Sequence, residues 1–164
     1  MKARILVLLA VLLSSAFALH ADDTDITREH VVARMNVYRA QEGLPPLVEN
    51  TTLDAAADDR VRDMEELAYW AHTSPEGRSP FTWIRTRQYD YSYAGENLAT
   101  GFETVGVLVE SWMESPGHRA NIMSPMYQEC GIAIIEGSTV GRMTGKSVVV
   151  MFARPRVALQ SAAK

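Results

Sequence analysis

Apolar residues recur at helical spacing over two stretches near the start of the sequence. The first covers residues 26–42, after which Gly43 and Pro45-Pro46 end the helix. The second begins after Asn50-Thr51-Thr52, which offers an N-cap. Its apolar stripe comprises Leu53, Ala57, Val61 and Met64. The other faces carry charged residues, which we interpret as a solvated surface without chemistry: Asp58, Asp59, Arg60, Arg62, Asp63, Glu65 and Glu66.

Local signals predict two more helices and two strands further along. Ser79-Pro80 favours a short helix at residues 81–84, because proline is preorganised for the first helical turn. A longer helix starts near Val105 and must end near Ser115, since Pro116 would remove a hydrogen bond inside it. Apolar runs at 130–135 and 147–152 predict two strands joined by a glycine-bearing connection. Helices early and strands late favour an α+β fold with an antiparallel sheet.

Apart from that short helix, residues 69–93 show no sustained period and are predicted to form a long loop. A loop this long in a compact domain often carries function or shields a site. It is rich in aromatic residues: Tyr69, Trp70, Phe81, Trp83, Tyr89, Tyr91 and Tyr93. These rings predict either a cover over the core or the lining of an apolar groove.

The start of the sequence has the three-part pattern of a secretory signal peptide. Lys2 and Arg4 precede an apolar run at residues 5–13, and Ala16-Phe17-Ala18 offers a cleavage site, with Ala21 as an alternative. The apolar run is shorter than the roughly 18–20 residues that a membrane span needs. We therefore expect no transmembrane anchor after cleavage and a secreted or periplasmic protein. The predicted organisation is a signal peptide at 1–21, a single domain at 22–155 and a flexible tail at 156–164.

Charge and cysteine content narrow the functional classes. Without Lys2 and Arg4, 14 of the 16 basic residues remain against 20 acidic ones, which gives a formal charge of −6. Nonspecific nucleic-acid binding depends on Lys and Arg that neutralise phosphates, so we expect no nucleic-acid partner. Cys130 is the single cysteine and lies in an apolar run, which predicts a buried thiol in a strand. We also expect a monomer.

Two histidines lie in unusual local settings. His72 opens the turn-rich stretch His72-Thr73-Ser74-Pro75, and His118 directly follows Pro116-Gly117. Imidazoles placed on loops suit metal ligands or general bases, because one ring nitrogen can face outward while the other is held. Between them in sequence, Glu96 is flanked by glycine and asparagine. These three residues are the candidates for chemistry.

Six motifs identify a family resemblance. In chain order they are Asn-Val-Tyr-Arg at 36–39, Leu-Pro-Pro-Leu at 44–47, His-Thr-Ser-Pro at 72–75, Gly-Glu-Asn at 95–97, Trp-Met-Glu-Ser-Pro-Gly-His-Arg-Ala-Asn-Ile at 112–122, and the strand containing Gly131. Together they resemble the CAP superfamily, whose domain is also called the SCP domain, in its short bacterial form. The resemblance covers residues 26–155 and implies a three-layer α/β/α sandwich.

The resemblance also implies a site. Members of this family have a cleft lined by two histidines and two glutamates, and some hold zinc or another divalent ion with the histidines. Carried over residue by residue, the histidines correspond to His72 and His118, and the first glutamate corresponds to Glu96. The resemblance therefore implies that Zn²⁺ or another divalent cation is the cofactor, and that no organic cofactor is bound.

The second glutamate of the family does not carry over directly. Its position is occupied by Ser115 in this sequence. Glu114 is adjacent, and Glu110 lies four residues before Glu114 on the same helix face. The fourth corner of the cleft is therefore open among these three residues.

Three functions are compatible with these residues. The first is a His/Glu cleft without strong catalysis, which binds a divalent metal, a small ligand or envelope partner, or both. The second is a weak, protease-like hydrolase that uses Ser74 or Ser115 beside a His/Glu pair. The third is a binding module, either for lipid or sterol-like ligands in a groove lined by the aromatic loop, or for envelope components or another protein. A buried polar network that fixes loop geometry accounts for four further residues: Asn36, Arg39, Asn97 and Asn121.

Overall fold

A computed structural model describes residues 25–137 and 145–156. Its helices are α1 (Arg28–Gln41), α2 (Thr51–Glu66), α3 (Phe81–Thr86), α4 (Val105–Glu114) and α5 (Pro116–Ile122). Its strands are β1 (Val48–Glu49), β2 (Tyr91–Phe102), β3 (Glu129–Glu136) and β4 (Lys146–Pro155). The predicted signal peptide and almost all of the predicted tail lie outside the described residues.

The predicted helices are present with small shifts at their ends. Asn50 caps α2, and its side chain accepts hydrogen bonds from the backbone N–H groups of Thr52 and Leu53. Pro116 ends α4 as predicted, but it also starts α5 as the first helical residue after Ser115. The interpretation of the segment after Pro116 as a loop was therefore wrong, because proline at this position nucleates a new helix.

The four strands form one sheet in the order β1-β3-β4-β2. The pairs β3–β4 and β4–β2 are antiparallel, whereas the two-residue β1 pairs in parallel with β3 at one edge. Strand β2 forms the other edge, and it was not predicted from the sequence. Its central Gly95-Glu96-Asn97 lacks the apolar alternation of a strand, because polar contacts cover both faces at these residues.

Helices cover the sheet on both faces, which confirms the α+β class and the three-layer α/β/α sandwich. Alternate residues of β4 enter two separate cores. Val148, Val150 and Phe152 pack on the side of α1, α4 and α5. Val149, Met151 and Ala153 pack on the side of α2 and α3. Cys130 belongs to the first core and is fully buried, as predicted, and burial raises the pKa of its thiol to about 12.

A glycine brings α2 unusually close to the sheet. A Cβ atom at Gly131 would lie only 2.0 Å from the carbonyl carbon of Leu53. The helix is fixed at this distance because Asp54 Oδ1 accepts a hydrogen bond from the backbone N–H of Ile132 (2.8 Å). The close approach places the next turns of α2 directly over the sheet, and this position determines what Arg60 can reach.

Candidate functional site

His72 and Glu96 form a direct hydrogen bond across the domain. His72 follows α2, Glu96 lies on β2, and His72 Nδ1 is 2.7 Å from Glu96 Oε1. The Glu96 side chain is 2% exposed, whereas that of His72 is 57% exposed. Because a carboxylate can only accept, Nδ1 carries the proton in this bond. In the neutral ring, Nε2 is then the unprotonated nitrogen available to a ligand.

The second oxygen of Glu96 is held by a buried arginine. Arg60 Nε donates to Glu96 Oε2 over 2.9 Å, and the Arg60 side chain is 0% exposed. Its Nη2 donates to the backbone carbonyl of Ala71 and to that of His72 (3.0 Å). The interpretation of Arg60 as part of a solvated surface was wrong. One signal could have found it: Leu53, Ala57, Arg60 and Met64 follow heptad spacing, which places Arg60 on the buried face.

Aromatic and acidic groups surround the Arg60 guanidinium. Its carbon lies 4.5 Å from the centre of the Trp83 ring, within the range of a cation–π contact. Its Nη1 donates to the Tyr69 hydroxyl, which in turn donates to Asp63. Burial and the bond to Asp63 raise the pKa of Tyr69 to about 12. Arg78 binds the other oxygen of Asp63 (2.6 Å), so the network continues into the loop that carries His72.

His118 reaches the same region from the opposite side of the sheet. It lies on α5, where Asn97 Nδ2 donates to its backbone carbonyl (3.2 Å). Asn121, on the same helix, donates to Asn97 Oδ1 (2.8 Å) and to the Glu96 carbonyl (3.0 Å). The imidazole is half-buried beside Trp112, with 6.4 Å between ring centres. These bonds attach α5 to β2.

The two imidazoles influence each other electrostatically. The hydrogen bond to Glu96 raises the pKa of His72 above its ordinary value. Burial lowers the pKa of His118, and the charge on His72 lowers it further. His72 therefore takes up its proton first, and His118 titrates beside a charged neighbour. We define His72, Glu96 and His118 as the histidine site.

The alternation of β2 explains how both histidines meet one strand. Successive side chains point to opposite faces, so Glu96 turns toward α2 and Asn97 turns toward α5. A Cβ atom at Gly95 would lie 2.5 Å from the Tyr127 hydroxyl, so a larger residue there would require the Tyr127 side chain to shift. The Gly-Glu-Asn motif thus gives close packing at its first residue and one polar contact on each face at the next two.

The carbonyls of alternate β2 residues accept hydrogen bonds from side chains. Alternate residues of a strand direct their backbone groups to the same side. The acceptors are the carbonyls of Ala94, Glu96 and Leu98, and the donors are, in the same order, Tyr127 Oη, Asn121 Nδ2 and Trp112 Nε1. The free edge of the sheet at the histidine site is therefore covered by side chains.

Asn36 and Arg39 lie in a network of their own, separate from the histidine side chains. Asn36 exchanges two hydrogen bonds with the backbone of Leu47 (2.8 and 2.9 Å). The buried Arg39 donates to four backbone carbonyls: those of Pro45 (2.8 Å), Ile122 (2.7 Å), Ser124 and Tyr127. These contacts fix the segment that follows α1 and the segment that follows α5.

The three candidates for the fourth corner lie on α4 and at its junction with α5. Glu110 and Glu114 are exposed on α4, and Ser115 is half-buried at the junction with α5. Across residues 25–137 and 145–156, no hydrogen bond or ion pair links them to His72, Glu96 or His118. Which of them replaces the family's second glutamate stays a prediction.

The serines do not have the geometry of activated nucleophiles. Ser74 is 4% exposed, and its Oγ accepts a hydrogen bond from the backbone N–H of Arg78 (3.0 Å). Within the described part of the chain, no hydrogen bond joins Ser74 or Ser115 to a histidine, as a nucleophile and its base require.

The aromatic residues of the predicted loop mostly cover the core on the side of α2. Trp83 is buried, and five others are partly buried against that core: Tyr69, Trp70, Phe81, Tyr89 and Tyr91. Tyr93, on β2, is 47% exposed. These positions support the interpretation of the rings as a cover over the core.

The imidazoles of His72 and His118 are the groups of the histidine site that could hold a metal ion. Both oxygens of Glu96 are engaged by other side chains, so Glu96 orients His72. Within the described ranges, no group of three or more His, Cys, Asp or Glu side chains is placed to share a metal ion. A metal held here would complete its coordination with water or with oxygens of a bound molecule.

A three-layer α/β/α sandwich with two histidines beside its edge strand is the architecture expected from the sequence motifs. The model of the cysteine-rich secretory protein family, CAP, matches residues 32–152. The chain therefore belongs to the CAP family.

One curated relative is similar to much of the chain. The chain is 36% identical to the uncharacterized protein YkwD of Bacillus subtilis (strain 168) over 110 residues, which are 67% of this chain and 43% of that protein. The chain thus spans less than half the length of this relative.

Solved structures show the same fold at lower identity. An outer surface protein from Borrelia burgdorferi matches with a TM-score of 0.68 at 20% identity, over 82% of this chain and 99% of that one. An extracellular protein containing a SCP domain from Bacillus anthracis matches with a TM-score of 0.60 at 22% identity, over 80% of this chain and 45% of that one.

Within residues 25–137 and 145–156, no helix has the length and apolar character needed to cross a membrane.

Proposed function

We propose that this CAP domain binds a divalent metal ion, such as Zn²⁺, through His72 and His118. The observation that carries the proposal is the hydrogen bond from His72 Nδ1 to the buried Glu96. Metal-binding histidines in proteins almost always donate their second ring N–H to a carboxylate or carbonyl, which fixes the tautomer. His72 has this arrangement, and His118 is near enough for the two ring charges to interact.

Two protein ligands set limits on this function. Catalytic zinc sites usually have three protein ligands, so we expect modest affinity and no strong hydrolysis. The metal would supply open coordination positions for oxygen donors. We propose that a small ligand or a component of the cell envelope occupies these positions.

Calorimetric titration of the purified protein with Zn²⁺ tests the proposal. We expect one binding event per chain, which the double variant His72→Ala/His118→Ala abolishes. His30→Ala is the matched control, because His30 lies at the start of α1 with its Nδ1 on the backbone carbonyl of Asp25 (2.8 Å). Equal Zn²⁺ binding by the double variant and the parent would refute the metal proposal.

We also propose that the protein is exported and acts outside the cytoplasm. The support is the three-part pattern of residues 1–21, together with membership of a secretory protein family. Intact-mass analysis of protein recovered from the periplasm and the culture medium tests it. The expected mature chain begins at Leu19 or Asp22; a full-length chain found only in the cytoplasm would contradict export.

A further inference from the structure

One buried arginine contacts both partners of the His72–Glu96 hydrogen bond. Arg60 Nε binds the carboxylate of Glu96 (2.9 Å), and Arg60 Nη2 binds the backbone carbonyl of His72 (3.0 Å). The guanidinium is planar and rigid, so these donors keep a fixed spacing. Arg60 therefore fixes the position of the Glu96 carboxylate relative to the backbone of His72.

The guanidinium itself has little freedom to move. It packs on the Trp83 ring at 4.5 Å, donates to the Tyr69 hydroxyl, and is fully buried. The carbonyl of Ala71 accepts a further bond. A buried charge with this many partners is costly to displace, because any lost bond leaves an unpaired group away from water.

We infer that Arg60 is a positioning residue that keeps His72 in the Nδ1–H tautomer, with Nε2 free for the metal. The inference rests on the proposed metal function for its purpose, but the tautomer is observable without any metal. Arg60 binds Oε2 of Glu96, and His72 is the hydrogen-bond partner of Oε1 among the described residues. A side chain at position 60 that cannot bind both the Glu96 carboxylate and the His72 carbonyl would no longer fix their relative positions.

The test compares Arg60→Lys with the parent protein. A lysine ammonium is a single point donor group and cannot reproduce the fork that spans Glu96 and the His72 carbonyl. Ring ¹⁵N chemical shifts of His72 report its tautomer when they are recorded without metal, at a pH high enough for the ring to be neutral. We expect one Nδ1–H tautomer in the parent and a mixture in Arg60→Lys. Zn²⁺ affinity should fall about tenfold, in the range for loss of a group that orients a metal-bound histidine.

Arg39→Lys is the matched control. Arg39 is equally buried, but its backbone contacts lie at the end of α5 and in the segments after α1 and α5, away from His72. We expect this variant to lose stability while the His72 tautomer stays as in the parent. If Arg39→Lys changes the tautomer as much as Arg60→Lys does, the effect is general loosening and the inference is wrong.

Two further results decide the inference if Arg60→Lys does not fold. Arg60→Gln keeps an amide donor but cannot span Glu96 and the His72 carbonyl, and it should also give a tautomer mixture. The parent alone is also decisive, since an Nε2–H tautomer of His72 in the parent would overturn the inference. If the parent binds no Zn²⁺ while Arg60→Lys changes the tautomer, the metal function fails and the role of Arg60 stands. If the parent binds Zn²⁺ and Arg60→Lys leaves the His72 tautomer and the Zn²⁺ affinity unchanged, the metal function stands and the role of Arg60 is wrong.

Discussion

Asp54 and Ile132 join the second helix to the sheet, because Asp54 Oδ1 accepts the Ile132 backbone N–H at 2.8 Å. Asp54→Ala would leave that buried N–H without its partner. We expect the free energy of unfolding to fall by about 2 kcal/mol, measured by urea denaturation. Asp58→Ala is the control on the same helix: its ion pair with Arg28 is partly exposed, so a change below about 1 kcal/mol is expected. Equal losses in both variants would contradict this role of Asp54.

Gly131 should tolerate no side chain. A Cβ atom there would lie 2.0 Å from the Leu53 carbonyl carbon and 2.2 Å from the Asp54 nitrogen. Because backbone atoms must move, Gly131→Ala should cost roughly 3 kcal/mol or more. Gly117→Ala is the control, since a Cβ atom there meets nothing within 4 Å. It should be neutral or slightly stabilising, because alanine favours helices. Thermal unfolding of both variants checks the difference, and a stable Gly131→Ala would show that α2 can move away from β3.

The two histidines should titrate on opposite sides of the ordinary pKa of about 6.5. The bond to Glu96 raises the pKa of His72, whereas burial and the charge of His72 lower that of His118. NMR titration of ring protons should give two separate midpoints, and Glu96→Gln should lower the midpoint of His72. Coincident midpoints for the two rings would contradict the described geometry.

These shifts also fix the sign of the pH dependence of stability. The contribution of His72 is fully present below its unfolded pKa and is lost as the pH rises through its folded pKa. The contribution of His118 is present above its unfolded pKa and is lost as the pH falls through its lowered folded pKa. His118→Ala should therefore remove part of the loss of stability in weak acid, as measured by chemical denaturation at a series of pH values. An unchanged loss of stability in acid would contradict the lowered pKa of His118.

Cys130 should be inert in the folded protein. It is fully buried, and burial raises the pKa of its thiol to about 12, so almost no thiolate forms at neutral pH. We expect no reaction with a maleimide under native conditions and one label per chain in denaturant, counted by mass spectrometry. Rapid labelling of the native chain would mean that β3 opens.

The sequence was informative where an element meets an apolar core. The helices α1, α2 and α4 meet a core on one face and show an apolar stripe, whereas β3 and β4 meet a core on each face and show continuous apolar runs. Strand β2 was missed for the opposite reason. At Glu96 and Asn97 its two faces meet Arg60 and the backbone of His118, so polar residues stand where a strand usually has apolar ones.

The candidate site was only partly visible for a related reason. His72, Glu96 and His118 stand out because of their residue types and local settings, but Arg60 looks like any charged residue of a helix. Its partners Glu96 and His72 lie 36 and 12 residues away. A contact of this kind depends on how α2 docks on β3, and local periodicity does not contain that information.

The covered edge of β2 also bears on how molecules of this protein meet one another. An exposed edge strand presents unpaired backbone groups that can recruit a strand from a second molecule, which is a common route to aggregation. Here Trp112, Asn121 and Tyr127 occupy the carbonyls of the edge. The contacts that hold α5 and its histidine against the sheet therefore also oppose intermolecular strand pairing, so a variant that loosens α5 would be expected to aggregate as well as to lose its site.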